Sequence, residues 1–327
     1  MTKFLSFLYI VCLILVSCSK PQKKYLTISG EAQGSTFKIT YDDSLKRDFS
    51  DSILTILQNF DNELSTYKPD SWISLFNKKN YTNFSQTQYV EPCLTRALYW
   101  KSLSKGLFDP TATMLTEHDS TSGVSLDSLL NKERTYRVIQ EKKQVIKSDS
   151  SIKINMNAIA QGYSVDILCE FLDRKNIQNY FVEIGGELRV KGKNSKNQPW
   201  RIGIESPEST IENRDFQHIV ELSNKSMATS GSYRKFIEKE GKKYSHAINP
   251  RTGKGVTHQL LSVTILDETC IDADALATTL LVMGYEQSID FLTHSPLLKN
   301  ASVMFIVEEN DSYQIYYHGG FKKYLIQ

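Results

Sequence analysis

Two aspartates and a threonine carry the spacing in this chain that could do chemistry. They are Asp272, Asp274 and Thr278, within the stretch Thr264–Gly284, TILDETCIDADALATTLLVMG. Thr264–Leu266 closes an alternating, β-branched run and reads as a strand, while Ala273–Met283 is rich in Ala and Leu and reads as a buried helix. The acidic loop between them sets both carboxylates at a helix entrance, and Thr278 follows Asp274 by four residues on the same helical face. Oxygen ligands so spaced suit a hard cation, Mg²⁺ or Ca²⁺, rather than zinc, which prefers His and Cys. An N-capping Asp and a Thr bonded back to its own helix would satisfy the same local pattern. The rest of the chain has to decide between them.

The elements that must position these residues are mostly strands. Tyr25–Ile28 and Thr36–Tyr41 flank the small-residue connection Gly30–Ser35, and Ser50 or Asp51 opens a helix with Ile53, Leu57, Phe60 and Leu64 on one face. Pro69 and Asp70 break that helix, so Tyr67 and Trp72 fall on irregular or newly started structure where an aromatic face could stack on a planar ring. Pro92–Lys105 predicts a helix ending at Gly106, followed by the turn Phe108–Thr111. Tyr136–Lys147 and Ile152–Met156 predict strands. The second feeds Asn157-Ala158-Ile159-Ala160-Gln161-Gly162 and a helix to about Arg174, whose free N–H groups and positive end make a phosphate site.

Tyr180–Ile184 predicts a strand interrupted at Gly185-Gly186, a bulge or a close approach by something else. Met227–Tyr233 reads as a second small-residue turn, Tyr244–Ile248 alternates into the turn Asn249–Gly253, and Leu261–Leu266 returns as a strand. Ser302–Glu308 and Tyr313–Tyr317 make a terminal hairpin. Strands dominate and helices interrupt them irregularly, which predicts an α+β fold with mixed or antiparallel sheets and packed helices. No GxGxxG follows the first strand, which disfavours a nicotinamide-type Rossmann fold.

At 327 residues the chain can bury a large core, as one elaborate domain or two. Its net charge of +2, with 23% charged residues and no Lys/Arg cluster interleaved with aromatics, gives no field for nucleic acid. Lys3 precedes an apolar run from Phe4 to Val16, shorter than the roughly 20 residues of a membrane-spanning helix and suited to a secretory signal. The run ends in Leu15-Val16-Ser17-Cys18, which resembles a bacterial lipobox with Cys18 as the lipidated first residue; an ordinary cleavable signal with an incidental Cys is the other reading. This divides the chain into a signal peptide, 1–17, the lipidated Cys18 with its polar tether to residue 24, and a folded part, 25–327, outside the cytoplasm. Cys93, Cys169 and Cys270 show no CxxC spacing and are expected as buried thiols.

Seven segments in order resemble the FAD:protein FMN transferase (ApbE) family over essentially the whole mature chain: STYKPDSWISLFN, FDPT, NAIAQGYSVD, VEIGGELRVKG, ATSGSYRKF, HAINPRTGKG and DADALATTLLVMG. The resemblance implies a T-fold-related α+β flavin transferase. It implies a divalent metal, Mg²⁺, held by the Ala160 carbonyl, Asp274 and Thr278. It implies FAD with its pyrophosphate near that metal, Tyr67 near the flavin, and Asn157, Ala160, Gly162, Glu183, Gly185, Gly186, Thr229, Ser230, Gly231 and His246 lining the cleft. His246 matches the histidine associated with transfer, and Asp274 acts with it in catalysis. FMN would pass to a Ser or Thr of a redox-protein subunit as a phosphoester, releasing AMP, at the periplasmic side of a lipid-anchored bacterial envelope protein. The family commonly has Asp at Asn155, Lys at Gln161 and Asp at Ser232, so cofactor affinity or partner choice can differ.

The residues support that chemistry on their own terms. Pyrophosphate cleavage by an alcohol depends on positioning and on charge neutralisation, and an imidazole titrates near neutral pH, where it can take a hydroxyl proton. His246 leads into a turn, while His118, His218, His258, His294 and His318 lack metal spacing and read as surface or packing residues. A metal-dependent FAD pyrophosphatase and a non-catalytic, membrane-anchored flavin carrier are the alternatives.

Overall fold

The structure, a computed structural model, describes residues 25–79, 82–115, 125–209, 215–232, 236–239, 242–245, 247–310 and 312–326, with the backbone alone at 79, 236–239 and 242–245. Eight strands form one antiparallel sheet: β1 (Tyr25–Ala32), β2 (Ser35–Asp42), β3 (Tyr180–Ile184), β4 (Glu187–Lys191), β5 (Lys225–Gly231), β6 (Leu260–Asp267), β7 (Ser302–Glu309) and β8 (Ser312–His318). Each strand pairs with the next in the chain, so the sheet is a meander into which longer segments are inserted. The α+β architecture expected from the sequence is the one observed.

Helices α1 (Ser50–Leu64), α2 (Trp72–Lys79), α3 (Val90–Leu103), α4 (Leu126–Leu130) and α5 (Ala160–Arg174) lie between β2 and β3. Helices α6 (Cys270–Met283) and α7 (Tyr285–His294) lie between β6 and β7. Alternation along β7 shows how the layers form: Val303, Phe305 and Val307 join the helices' core, while Met304 and Ile306 pack with the hairpin Trp200–Glu205/Phe216–Leu222. Both sheet faces are therefore covered at β7. On α1, Ile53, Leu57, Phe60 and Leu64 are buried as their periodicity predicts, each contributing about 1.5–3 kcal/mol of transfer free energy. Helix α6 is buried on nearly every side, as its Ala- and Leu-rich sequence demands.

Several predicted elements change form. Tyr136–Lys147 folds back on itself as two short strands, Tyr136–Ile139 and Gln144–Lys147, around Lys143 in the left-handed region. Ile152–Met156 pairs with no strand; Ile154 exchanges hydrogen bonds with the Asn77 side chain, and the Asn155 N–H donates to the Pro110 carbonyl. Its alternation reports burial of Ile152, Ile154 and Met156 rather than pairing. Met227–Gly231, expected as a turn, lies within strand β5, where small side chains let α6 pack close. Gly185 and Gly186 form the two-residue turn between β3 and β4, both at positive φ, instead of a bulge.

Cys93, Cys169 and Cys270 are free, buried thiols, as expected. The export segment, with Cys18, lies outside the described residues. Among the described residues no helix is long and apolar enough to cross a membrane.

Candidate active site at the α5–α6 seam

Helices α5 and α6 meet at Gly162. A Cβ there would sit 2.4 Å from the Cys270 carbonyl oxygen and 2.7 Å from Asp274 Cβ, so only glycine permits this approach. The Gly162 N–H donates to Asp274 Oδ2 at 3.0 Å. In a regular helix that N–H would return to the carbonyl four residues earlier, so the Ala158 carbonyl is left spare. Ala160, the expected carbonyl ligand, opens α5 and its carbonyl enters the first helical turn. The carbonyl oxygens of Asn157 and Ala158 both lie ahead of the helix's own ladder, which opens with the Tyr163 N–H on the Ile159 carbonyl; the sequence did not single out Ala158.

Asp274 is 6% exposed, and burial pushes its carboxyl up to about 7, with the Gly162 N–H only partly offsetting that. No ion pair among the described residues neutralises it. One helical turn on, Thr278 Oγ1 lies 3.2 Å from Ser230 Oγ at the end of β5. The fold therefore brings together Gly162, Asp274, Thr278 and Ser230 from three separate stretches of sequence. Thr229 instead bonds across the sheet to Thr264 at 2.9 Å, and Gly231 pairs with Ser262.

Asp272 behaves differently from Asp274, although the sequence pairs them. Its carboxylate accepts from Arg96 Nε at 2.6 Å, Trp100 Nε1 at 2.8 Å and Thr269 Oγ1 at 2.7 Å. Burial raises its pKa, yet Arg96, Thr269 and Trp100 more than offset this and hold it below the usual carboxylate range. Asp272 is a structural anchor between α6 and α3.

The remaining predicted residues divide into three groups. Gly185 lies against the Gln161 side chain, where a Cβ would come within 2.5 Å of Gln161 Nε2, and the Gly186 N–H donates to Glu183 Oε1 at 2.8 Å. This places the β3–β4 turn beside the start of α5. Asn157 is exposed in the turn before α5, its N–H held by Asn155 Oδ1 at 2.8 Å, a contact an aspartate would make equally well. Tyr67 is 83% exposed, while Trp72 is buried, stacked on Phe76 and bonded to the Asn83 carbonyl, so the aromatic pair is split. His246 lies outside the described residues. His218 and His258 are packing residues, bonded to Tyr317 Oη and the Leu281 carbonyl, while His294 is exposed and His318 half-buried at the surface, as expected; His118 lies outside the described residues.

Gln33, in the β1–β2 turn at φ 55°, was not singled out individually. Its Oε1 accepts from Ser164 on α5 at 3.1 Å, and its Nε2 is buried with no partner among the described residues. The only sequence signal was the small-residue connection around it.

A divalent cation fits the donor set. A buried carboxylate without a counter-charge, a neighbouring hydroxyl and a spare carbonyl are all hard oxygen donors, and the carboxylate's desolvation is costly unless a positive charge meets it. Among the described residues no three His, Cys, Asp or Glu side chains converge, so a cation here relies on one carboxylate and neutral oxygens.

Comparison with known proteins identifies the family of the chain. The sequence profile of the ApbE family matches residues 33–303. The chain is 32% identical to the FAD:protein FMN transferase of Vibrio cholerae over 96% of each chain, and 27% identical to that of Escherichia coli K12 over 96% of this chain and 95% of the other. Its structure is similar to the flavin transferase ApbE of Vibrio cholerae, with a TM-score of 0.77 at 30% identity, covering 93% of this chain and all of that one. It is also similar to the apo flavinyl transferase ApbE of Pseudomonas stutzeri, with a TM-score of 0.79 at 27% identity over 94% and 98% of the two chains. With the family's profile spanning most of its length and relatives aligned nearly end to end, the chain belongs to the ApbE family.

Proposed function

We propose that this transferase moves FMN from FAD to a Ser or Thr hydroxyl of a partner protein, releasing AMP. The observation that carries the reading is the buried, unneutralised Asp274 beside Thr278, in a chain of a family whose curated relatives are named FAD:protein FMN transferases. In the reaction the acceptor oxygen bonds to the FMN phosphorus, the bond to AMP breaks, and AMP leaves with the electron pair. Little covalent chemistry falls to the protein, which supplies position and charge.

Asp274, Thr278 and a main-chain carbonyl of the turn at Ala158 to Ala160 would hold Mg²⁺. Bound there, Mg²⁺ supplies positive charge to the pyrophosphate oxygens. The Gly162 N–H fixes one oxygen of Asp274, leaving the other for that role. The open first turn of α5 directs its dipole's positive end toward anionic phosphate. In the turn Gly185-Gly186, Gly185 takes the Gln161 side chain of α5 and Gly186 faces open space, where a ligand could approach the backbone. His246 accepts the acceptor's hydroxyl proton as the new bond forms; its assignment rests on the HAINPRTG motif. A solved Vibrio cholerae relative carries a His-to-Gly substitution.

Incubating the protein with FAD, Mg²⁺ and candidate envelope redox subunits, with mass spectrometry of the subunit, tests the reading. An added FMN mass on a Ser or Thr is expected, lost with His246→Ala while FAD binding remains. Free FMN and AMP without modified acceptor would make the protein a pyrophosphatase, and tight FAD binding that survives EDTA without turnover would make it a carrier.

Export and lipidation at Cys18 belong to the same proposal. They are supported by the apolar run and Leu15–Cys18, and place the enzyme on the periplasmic side of the bacterial envelope. Intact mass of the membrane-extracted protein should show a diacylglyceryl-modified N-terminal cysteine, absent from Cys18→Ala.

A further inference from the structure

Helix α6 lacks a cap of its own. Its N-cap residue Thr269 gives its hydroxyl to Asp272 and makes no side-chain bond to the first-turn N–H groups. The missing acceptor comes from another helix. Asp166 on α5, 4% exposed, accepts the Cys270 N–H on Oδ1 at 3.0 Å and the Ile271 N–H on Oδ2 at 2.9 Å. Arg189 on β4 donates to the same Oδ1 at 2.7 Å, which ties the carboxylate to the sheet; burial raises the Asp166 pKa, and the two amides and Arg189 offset part of that rise. A negative group at a helix N-terminus is favourable in itself, and here it also fixes the helix to its neighbour.

Asp166 follows Gly162 by four residues, so both sit on one face of α5. Gly162 grips Asp274 through its N–H and touches Cys270 through the absence of a side chain; Asp166 grips the two amides that open α6. The two contacts are one helical turn apart on α5 and span the first turn of α6, up to Asp274. Two attachment points fix both the depth of α6 against α5 and its rotation, and rotation decides where the Asp274 carboxylate and Thr278 hydroxyl point. A cap placed anywhere else would stabilise α6 equally without setting that angle.

We propose that Asp166, held by Arg189, is the positioning residue that sets the oxygen-donor geometry at Asp274 and Thr278, and thereby the affinity for a divalent cation. The inference rests on the metal reading given above. It requires no contact between Asp166 and the cation or substrate: its action passes through the first turn of α6. Residues that orient metal-ligating groups typically cost 10–100-fold in metal affinity or activity when altered.

The test uses the full-length protein and Mn²⁺ as a spectroscopic substitute for Mg²⁺, titrated by electron paramagnetic resonance, with FAD binding and thermal unfolding followed in parallel. In Asp166→Asn the amide keeps one acceptor oxygen but loses the Arg189 pair. It is expected to lower Mn²⁺ affinity about 10–100-fold, with the cation-dependent rise in Tm correspondingly reduced. Arg189→Lys, which preserves a positive partner, should restore most of the affinity that Arg189→Gln loses. Unchanged Mn²⁺ affinity in a folded Asp166→Asn protein, whatever its Tm, would reduce Asp166 to a structural cap and overturn the inference. If Asp166→Asn fails to fold, Arg189→Gln decides alone, since it keeps a carboxylate to cap α6 but releases that carboxylate from its anchor on β4 and so frees the angle of α6; equal affinity in that variant overturns the inference. No Mn²⁺ binding by the unaltered protein would instead remove the metal reading on which this one rests.

Discussion

Asp272 and Asp274 stand two residues apart in the first turns of one helix, yet they face different parts of the molecule. Asp272 turns toward α3, where Arg96, Trp100 and Thr269 saturate its oxygens and hold its pKa down. Asp274 turns toward α5 and meets one backbone N–H, and burial drives its pKa up to about 7. Residue type and helix are the same in both cases and both side chains are buried, Asp274 the more deeply; what separates them most is the number of donors. A carboxylate whose partners are all supplied by the protein holds the fold together, whereas one that is buried and left short of positive charge is available to something the protein must bind.

Replacing each carboxylate separately breaks this contrast most sharply. Asp274→Asn is expected to abolish acceptor modification, a loss on the order of 10³-fold or more, while leaving cation-free thermal stability equal or higher, because it removes an uncompensated buried charge. Initial rates by mass spectrometry and melting curves with and without Mg²⁺ check both halves; substantial transfer by this variant would falsify the assignment. Asp272→Asn should do the reverse. Losing the Arg96 pair and leaving donors unsatisfied is expected to cost about 2–4 kcal/mol, read by urea unfolding, with transfer per folded molecule close to that of the unaltered protein.

Gly162→Ala sharpens the comparison at the seam. The added methyl meets the Cys270 carbonyl, backbone that cannot swing away, so α5 and α6 must separate. A loss of about 1–3 kcal/mol is expected, together with a weakened Mg²⁺-dependent rise in Tm, whereas a surface substitution of equal stability cost should leave that rise intact. The smallest effect is expected at Asp43, far along the chain, which resembles Asp272 in being fully satisfied. The Arg47 side chain beside it, with the Arg47 and Leu45 N–H groups, lowers its pKa to about 2. Its folded pKa lies below the unfolded value, so its stabilisation is complete above about pH 4 and disappears as pH falls through about 2. Arg47→Ala should lower stability only slightly at neutral pH and flatten the acid limb of the stability profile.

How far the sequence reached depends on what kind of interaction fixed each feature. The amphipathic face of α1, the buried character of α6 and the antiparallel α+β class were legible, because they follow from periodicity and composition within single segments. Met227–Gly231 and Ile152–Met156 were misassigned for one reason: the sequence records how large and how buried a side chain is, while strand pairing depends on the neighbour. Small residues that suggested a turn instead make room for α6 on β5, and an alternating run that suggested a strand buries one face while bonding to Asn77.

For the site, the sequence alone determined the inventory: a helix opening with two carboxylates and a hydroxyl, a glycine-bearing turn before another helix, and seven segments in a family's order. Those depend on residue type and short spacing, which the chain carries within itself. Only the tertiary structure decided that Gly162 touches Asp274 across 112 residues, that Asp272 is spent on Arg96 across 176, and that Asp166 caps a helix more than 100 residues away. The physical reason is that burial and hydrogen-bond satisfaction are properties of packed neighbours, and the role of a carboxylate is set by those neighbours rather than by its place in the sequence.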